Sequence, residues 1–143
     1  MIKKSDTDRR LRRFAPWFYA AAVYNLVWGA TVAAYPALLA DATGLPEENR
    51  ALLQGVGLFV LVYAPAYWWV ARRPARHPHL VAVGLLGKGL GATGFAAVAL
   101  SGALPLRFGA TILLNDVMWL PAFWLYLKTW ARGGGGWRAL LAG

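Results

Sequence analysis

Apolar residues run along this chain in four long blocks separated by short polar segments, with neither the alternation of a half-buried strand nor the one-sided stripe of a soluble helix. The first block, from about residue 14 to residue 35, has roughly twenty-two residues. At about 1.5 Å rise each it covers the ~30 Å hydrocarbon core of a bilayer. The others fall at about 51–71, 80–100 and 106–130. Pro36 ends the first block, and the segment from Pro36 to Arg50 reads as a loop carrying Asp41, Glu47 and Glu48. Arg72–His79 is a short basic connection, Ser101–Pro105 a tight turn, and Gly133–Gly136 a linker releasing the tail Trp137–Gly143. Tyr67-Trp68-Trp69 before Arg72-Arg73 has the pattern of an interfacial belt, and the fourth block ends in Trp124, Tyr126, Lys128 and Trp130. The pattern predicts an all-α membrane protein, a four-helix transmembrane bundle over 14–131. A basic arm (1–13), headgroup-bound or mobile, precedes it, and a Gly-rich linker with a short tail (132–143) follows.

Composition agrees. The chain is 59% hydrophobic with a mean hydropathy of +0.44, above the apolar share of ordinary soluble domains. The net charge of +9 would suggest nucleic acid for a soluble protein. Here the basic residues lie between the apolar blocks, so they read as topology determinants and anchors to anionic headgroups, and no nucleic-acid partner is expected. Lys3, Lys4, Arg9, Arg10, Arg12 and Arg13 precede the first block, Arg72, Arg73 and Arg76 follow the second, and Lys128, Arg132 and Arg138 follow the fourth. Only Arg50 and Arg107 fall on the other side, which places both termini in the cytoplasm. The basic start resembles a signal peptide, but the block is too long and no small-x-small site precedes Tyr35-Pro36, so a retained helix is expected. The absence of cysteine excludes disulfides, thiolate metal sites and thiol peroxidase chemistry.

Polar residues inside the apolar blocks carry the candidate chemistry. Counted at about 1.5 Å per residue, Asn25 lies about 16 Å, and Lys88 and Tyr63 each about 12 Å, from the cytoplasmic edge of a ~30 Å core, and Asp116 about 15 Å from the opposite edge. A lone charge at a helix centre costs about 2.5–3.5 kcal/mol on insertion scales, and opposite charges at one depth offset much of that. Lys88 and Asp116 are therefore expected to pair inside the bundle, with Asn25, Tyr24, Tyr63 or Asn115 filling the remaining hydrogen-bond positions. Such a layer either fixes helix register or forms a ligand site or ion path. Asn115 and Asp116 point about 100° apart, so one of them faces the centre squarely.

Pro65 and Pro121 each remove a helical hydrogen bond and predict kinks beside this layer. Gly84, Gly87, Gly91 and Gly94 make a smooth stripe that would let another backbone approach closely, in this chain or in a second copy, or accept a flat ligand. Trp28 and Trp119 lie deeper than an interfacial belt, and Trp119, one turn from Asn115 and Asp116, could wall a pocket. His77 and His79 without a nearby carboxylate are a weak metal signal, and neither a metal nor a cofactor is expected. The chain contains no Gly-x-Ser-x-Gly, His-Glu-x-x-His or phosphate loop.

With Tyr24-Asn25-x-x-Trp28-Gly29, Val62-Tyr63 with Tyr67, Arg76-His77, Val83-Gly84-Leu85-Leu86-Gly87-Lys88 with Gly94-Phe95, Leu104-Pro105-x-Arg107-Phe108-Gly109, and Asn115-Asp116-x-x-Trp119 with Pro121 and Phe123, the chain resembles a group of small bacterial four-helix membrane proteins. The likeness spans nearly all of 20–130. It implies a multi-pass protein of the bacterial inner membrane and supplies no assigned substrate. Members are sometimes labelled alkyl hydroperoxide reductases, a thiol chemistry that a cysteine-free chain cannot perform. The group usually has Gly after Tyr63, where this chain has Ala64-Pro65, and an aromatic at the position of Pro78. The fourth block is also similar, around Asn115, Trp119 and Pro121, to sterol-isomerase and sigma-2-receptor proteins, whose polar and Trp residues surround a pocket for lipophilic amines or sterols.

The leading expectation is a non-catalytic protein that binds a lipid-like small molecule at Tyr24, Asn25, Tyr63, Lys88, Asn115, Asp116 and Trp119, or an accessory subunit of a membrane assembly or homo-oligomer, with membrane lipids as neighbours. The alternative is an intramembrane enzyme with Asp116 as acid/base and Lys88 tuning its charge, or a small transporter. A volume of a few hundred cubic ångströms at the depth of Asp116 would favour a ligand, and a solid core the accessory role.

Overall fold

The computed structural model describes residues 4–133 and 136–142, and all regular structure among them is helical. Helix α1 spans Lys4–Arg12, α2 Ala15–Ala34, α3 Pro36–Thr43, α4 Arg50–Arg72, α5 Pro78–Leu100, α6 Gly109–Asn115, α7 Leu120–Gly133 and α8 Trp137–Ala142. Short 3₁₀ turns at Glu47–Asn49, Leu106–Phe108 and Val117–Trp119 lead into α4, α6 and α7. Three helical stretches, Glu47–Arg72, Pro78–Leu100 and Leu106–Gly133, are long and apolar enough to cross a membrane, and a fourth is counted if α2 and α3, bent by 93°, are one span. This is consistent with a multi-pass membrane protein.

The segment expected as a loop after Pro36 is instead helix α3. Tyr35, kept out of the α region by the following proline, breaks α2 at φ −132° and ψ 62°. Pro36 then opens α3, where its missing N–H costs no hydrogen bond. Gly44 closes α3 at φ 75°, with Leu45 N donating to Ala40 O at 2.9 Å. Gln54 of α4 caps the Ala33 carbonyl exposed by the bend, at 3.0 Å.

The amino-terminal arm is docked as well as basic. Leu11 is fully buried, Thr7 rests against Gly133 of α7, and Asp6 and Asp8 pair with Arg9, Arg10 and Arg12 along one helix face.

Two cores hold the molecule. The larger joins Phe18 and Ala21 of α2, Tyr67 and Val70 of α4, Val81 of α5, and Trp119, Phe123 and Tyr126 to Leu11. Its rings interlock, Phe18 lying 5.1 Å from both Phe123 and Tyr126, and Tyr67 5.1 Å from Phe123. The smaller core, Val32, Ala40 and Leu53 with Trp28 and Phe108 against it, sits under α3.

Tyr67, expected in an interfacial belt, is a core residue, and so is Tyr126. Tyr67 is 1% exposed, and the Tyr126 hydroxyl donates to the Pro74 carbonyl. The close helix crossing is between α2 and α4, not on the α5 glycine stripe. A Cβ on Gly57 would lie 2.5 Å from the Ala33 nitrogen, and one on Gly29 2.8 Å from the Leu61 nitrogen. Three glycines of that stripe instead face side chains of this chain: Gly84 meets Tyr67 and Phe123, Gly87 the Tyr63 hydroxyl, and Gly91 Asp116, while Gly94 meets none of the described residues.

Candidate functional site

Between the two cores α4, α5 and α6 stand apart around a partly open cavity of about 270 Å³. Lys88 and Asp116, 6% and 7% exposed, line it with Asn115, Tyr63, Tyr67 and Trp28. The paired charges expected from the depth count are here, with Lys88 Nζ 3.6 Å from Asp116 Oδ1.

The local backbone explains why Asp116 can reach the cavity. The fourth apolar block breaks at Asp116, whose φ −119° and ψ −63° leave the α-helical path, and three residues of 3₁₀ helix follow before α7 resumes. Asn and Asp side chains compete with helical backbone bonding, and this pair lies at the break. Pro121, expected to kink the block, is instead the second residue of α7, where a proline is tolerated. Pro65 lies inside α4, which continues through it as one helix.

The break exposes carbonyls, and side chains from two directions take them up. Lys88 Nζ donates to the Asn115 carbonyl, and Trp119 Nε1 donates to the Leu114 carbonyl at 3.0 Å. A cation at a helix C-terminus also matches the helix dipole. Lys88 thus serves as ion-pair partner and as cap of α6. Asn115 Nδ2 donates to Asp116 Oδ1 at 3.0 Å, so the residue that does not face its neighbour squarely still orients the carboxylate.

The other predicted residues separate. Tyr24 and Trp119, with ring centroids 5.6 Å apart, line a second, wholly different groove of about 760 Å³ between α2, α3 and the Val117–Trp119 turn, whose remaining lining is mainly aliphatic. Trp28 borders both spaces and walls one from the other. Asn25 is 2% exposed and lines neither, and its Oδ1 makes no hydrogen bond among the described residues. The expected layer is therefore an ion-pair cavity with Lys88, Asp116, Asn115 and Tyr63, and Asn25 stands outside it.

Tyr67, Phe59, Phe108 and Ile112 also line the cavity and were not among the expected site residues. Tyr67 had a usable signal, since it follows Gly57, Val60 and Ala64 at helical spacing and lies one turn from Tyr63, whose ring is 5.8 Å away.

Outside the apolar segments, Asp6 and His77 are moved from their ordinary ranges. Arg9, donating at 2.6 Å, holds the Asp6 carboxyl below its usual range. Burial, then His79, Arg76 and Arg73, lowers the basicity of His77. His77 and His79 sit edge to face at 6.0 Å, and among the described residues no group of three or more His, Cys, Asp or Glu is arranged to hold a metal.

No family model, characterised protein or solved structure matches this chain, so the site rests on its own geometry.

Proposed function

We propose that the protein is a four-span bundle of the bacterial inner membrane, both termini cytoplasmic, that binds a lipid-like small molecule in the cavity beside Lys88 and Asp116. The observation that carries this reading is a space of about 270 Å³ holding a buried ion pair, in a molecule whose neighbouring core is closely packed. A pair kept only for register has no need of space beside it, and filling that space would restore packing contacts. The volume lies just below the range of drug-sized small-molecule pockets, about 300–1,000 Å³, and suits a small head group. The positive-inside distribution supports the orientation, and the motif likeness supports the membrane assignment. The accessory-subunit reading draws no support from a hollow core.

Native mass spectrometry of the protein purified in mild detergent tests the proposal, with Gly87→Leu as comparison. Gly87 lines the cavity, and its nearest neighbour to a Cβ is the Tyr63 hydroxyl at an ordinary 3.5 Å. Wild type should retain a defined small molecule that Gly87→Leu has lost. The same bound complement in both proteins would sink the reading.

A further inference from the structure

We propose that the ligand of this cavity is a neutral lipid alcohol, recognised by its hydroxyl at the Lys88–Asp116 pair and admitted sideways from the bilayer between α4 and α5. This inference rests on the binding reading above and narrows it to a chemical class.

Charge is the first constraint. The cavity already contains one cation and one anion at 3.6 Å, so its fixed charges cancel. An anionic or cationic head would either add an unmatched charge where water is scarce or displace one member of the pair and strand the other. A neutral head avoids both.

Hydrogen bonding is the second. An ammonium has three donors and a carboxylate two acceptor oxygens. Lys88 directs one donor to the Asn115 carbonyl and one towards Asp116 Oδ1, at a distance longer than a hydrogen bond. Asp116 Oδ1 also accepts from Asn115 Nδ2. Asp116 Oδ2 turns to α5, where only the missing side chain of Gly91 leaves it room: a Cβ there would lie 2.8 Å away. Oδ2 accepts no hydrogen bond from the described residues. Lys88 therefore keeps a free donor, and beside it Asp116 Oδ2 and the buried Asn115 Oδ1 are acceptors without a hydrogen-bond partner among the described residues. A ketone, ether or ester satisfies only the donor, and an ammonium only the acceptor. A hydroxyl is the smallest group that satisfies both.

Shape is the third. Phe59 and Tyr63 on α4 face Phe108 and Ile112 across the cavity, which suits a hydrocarbon next to the head. Phe59, 63% exposed, and Gly87, also exposed, stand at the rim, so in a bilayer the opening meets acyl chains and not water. The cavity has the volume of about nine waters, enough for a head and a few carbons. The remaining chain stays in the bilayer, and selection falls on the head.

The test uses the full-length protein in phosphatidylcholine nanodiscs with three photoactivatable probes of one long chain, ending in a hydroxyl, a carboxylate or an ammonium. The alcohol should label peptides lining the cavity about tenfold more than either charged probe, and more or less independently of whether its chain is saturated or branched. The pair should also invert on command. Asp116→Asn, which leaves Lys88 uncompensated, should favour the carboxylate, and Lys88→Met, which leaves Asp116, should favour the ammonium, each by about tenfold over the alcohol. A wild-type preference for either charged probe, or equal labelling by all three, overturns the alcohol assignment while leaving a binding cavity. Labelling by none of the probes at the cavity, or labelling that Gly87→Leu fails to reduce, overturns the binding reading itself. The wild-type ranking decides the class even where a charge variant does not fold.

Discussion

The two ends of the bundle are built on opposite plans from the same helices. At the basic end, which carries α1, Arg72–Arg76 and the end of α7, aromatic rings from α2, α4 and α7 close on Val81 and Gly84 of α5, and only the far side of Tyr67 and Gly84 borders the cavity. Towards the acidic end the same α5 has no buried residue beyond Lys88, and α4 and α6 stand away from it around the cavity. The difference lies largely in what meets each α5 glycine. Gly84 receives Tyr67 and Phe123, two rings that fill volume, whereas Gly91 receives a carboxylate oxygen that fills little. Small residues on a membrane helix thus make either a solid core or a hollow one, according to the side chain that faces them.

Breaking the hollow end at its charges should have the largest effect. Lys88→Met or Asp116→Asn alone should each destabilise the protein by about 3–5 kcal/mol, because each strands a buried polar partner, while the double variant should recover most of the loss. Equilibrium unfolding of all four proteins in mixed micelles checks this, and additive losses would mean that the pair is not coupled. Breaking the solid end at its centre should come close. Phe123→Ala removes a ring with no exposure and should cost about 3–5 kcal/mol, against roughly half of that for Phe108→Ala, whose ring already borders empty space. Equal costs at the two sites would erase the contrast between the ends. Tyr126→Phe should cost about 1 kcal/mol through loss of the bond to the Pro74 carbonyl, seen as a small fall in thermal midpoint.

The smallest effect belongs to pH at the basic end. With its basicity lowered in the fold, His77 is neutral in both folded and unfolded chains above about pH 6.5 and takes up a proton first in the unfolded chain as pH falls. Stability should therefore decline as the pH drops below that value, and His77→Gln should flatten the decline. A thermal midpoint that rises on acidification in wild type alone would contradict the assignment.

How far the sequence foretold this structure depends on which physical rule dominated locally. Lys88 and Asp116 were legible as a pair because the cost of a lone charge in hydrocarbon is large and depth follows from counting residues. Asn25 matched them in depth and turns inward, but it does not line the cavity, since depth does not fix which neighbours an inward face meets. The break at Asp116 was misassigned to Pro121 because proline is the louder signal, yet at the second position of α7 it costs nothing. Helix α3 was hidden by Asp41 within it and Glu47 and Glu48 after it, although Pro36 and Gly44 bracket it as a helix start and stop. Tyr67 looked interfacial beside Trp68 and Trp69 and was placed in the core by the spacing of Gly57, Val60 and Ala64.

The right-angle bend at Tyr35 sets a ruler into the molecule. Helix α2 has 20 residues before the bend, about 30 Å at 1.5 Å each, which equals the hydrocarbon thickness of an average bilayer with nothing to spare. If α2 alone crosses the bilayer and α3 lies along its surface, α2 cannot reach across a thicker membrane by sliding, and tilting in a thinner one would lift one end of α3 out of the interface. A bilayer of mismatched thickness would therefore strain the α2–α3 elbow first, and with it the small core that roofs the cavity. Lipid chain length, varied in reconstituted membranes, is on this account a control on whatever the cavity holds.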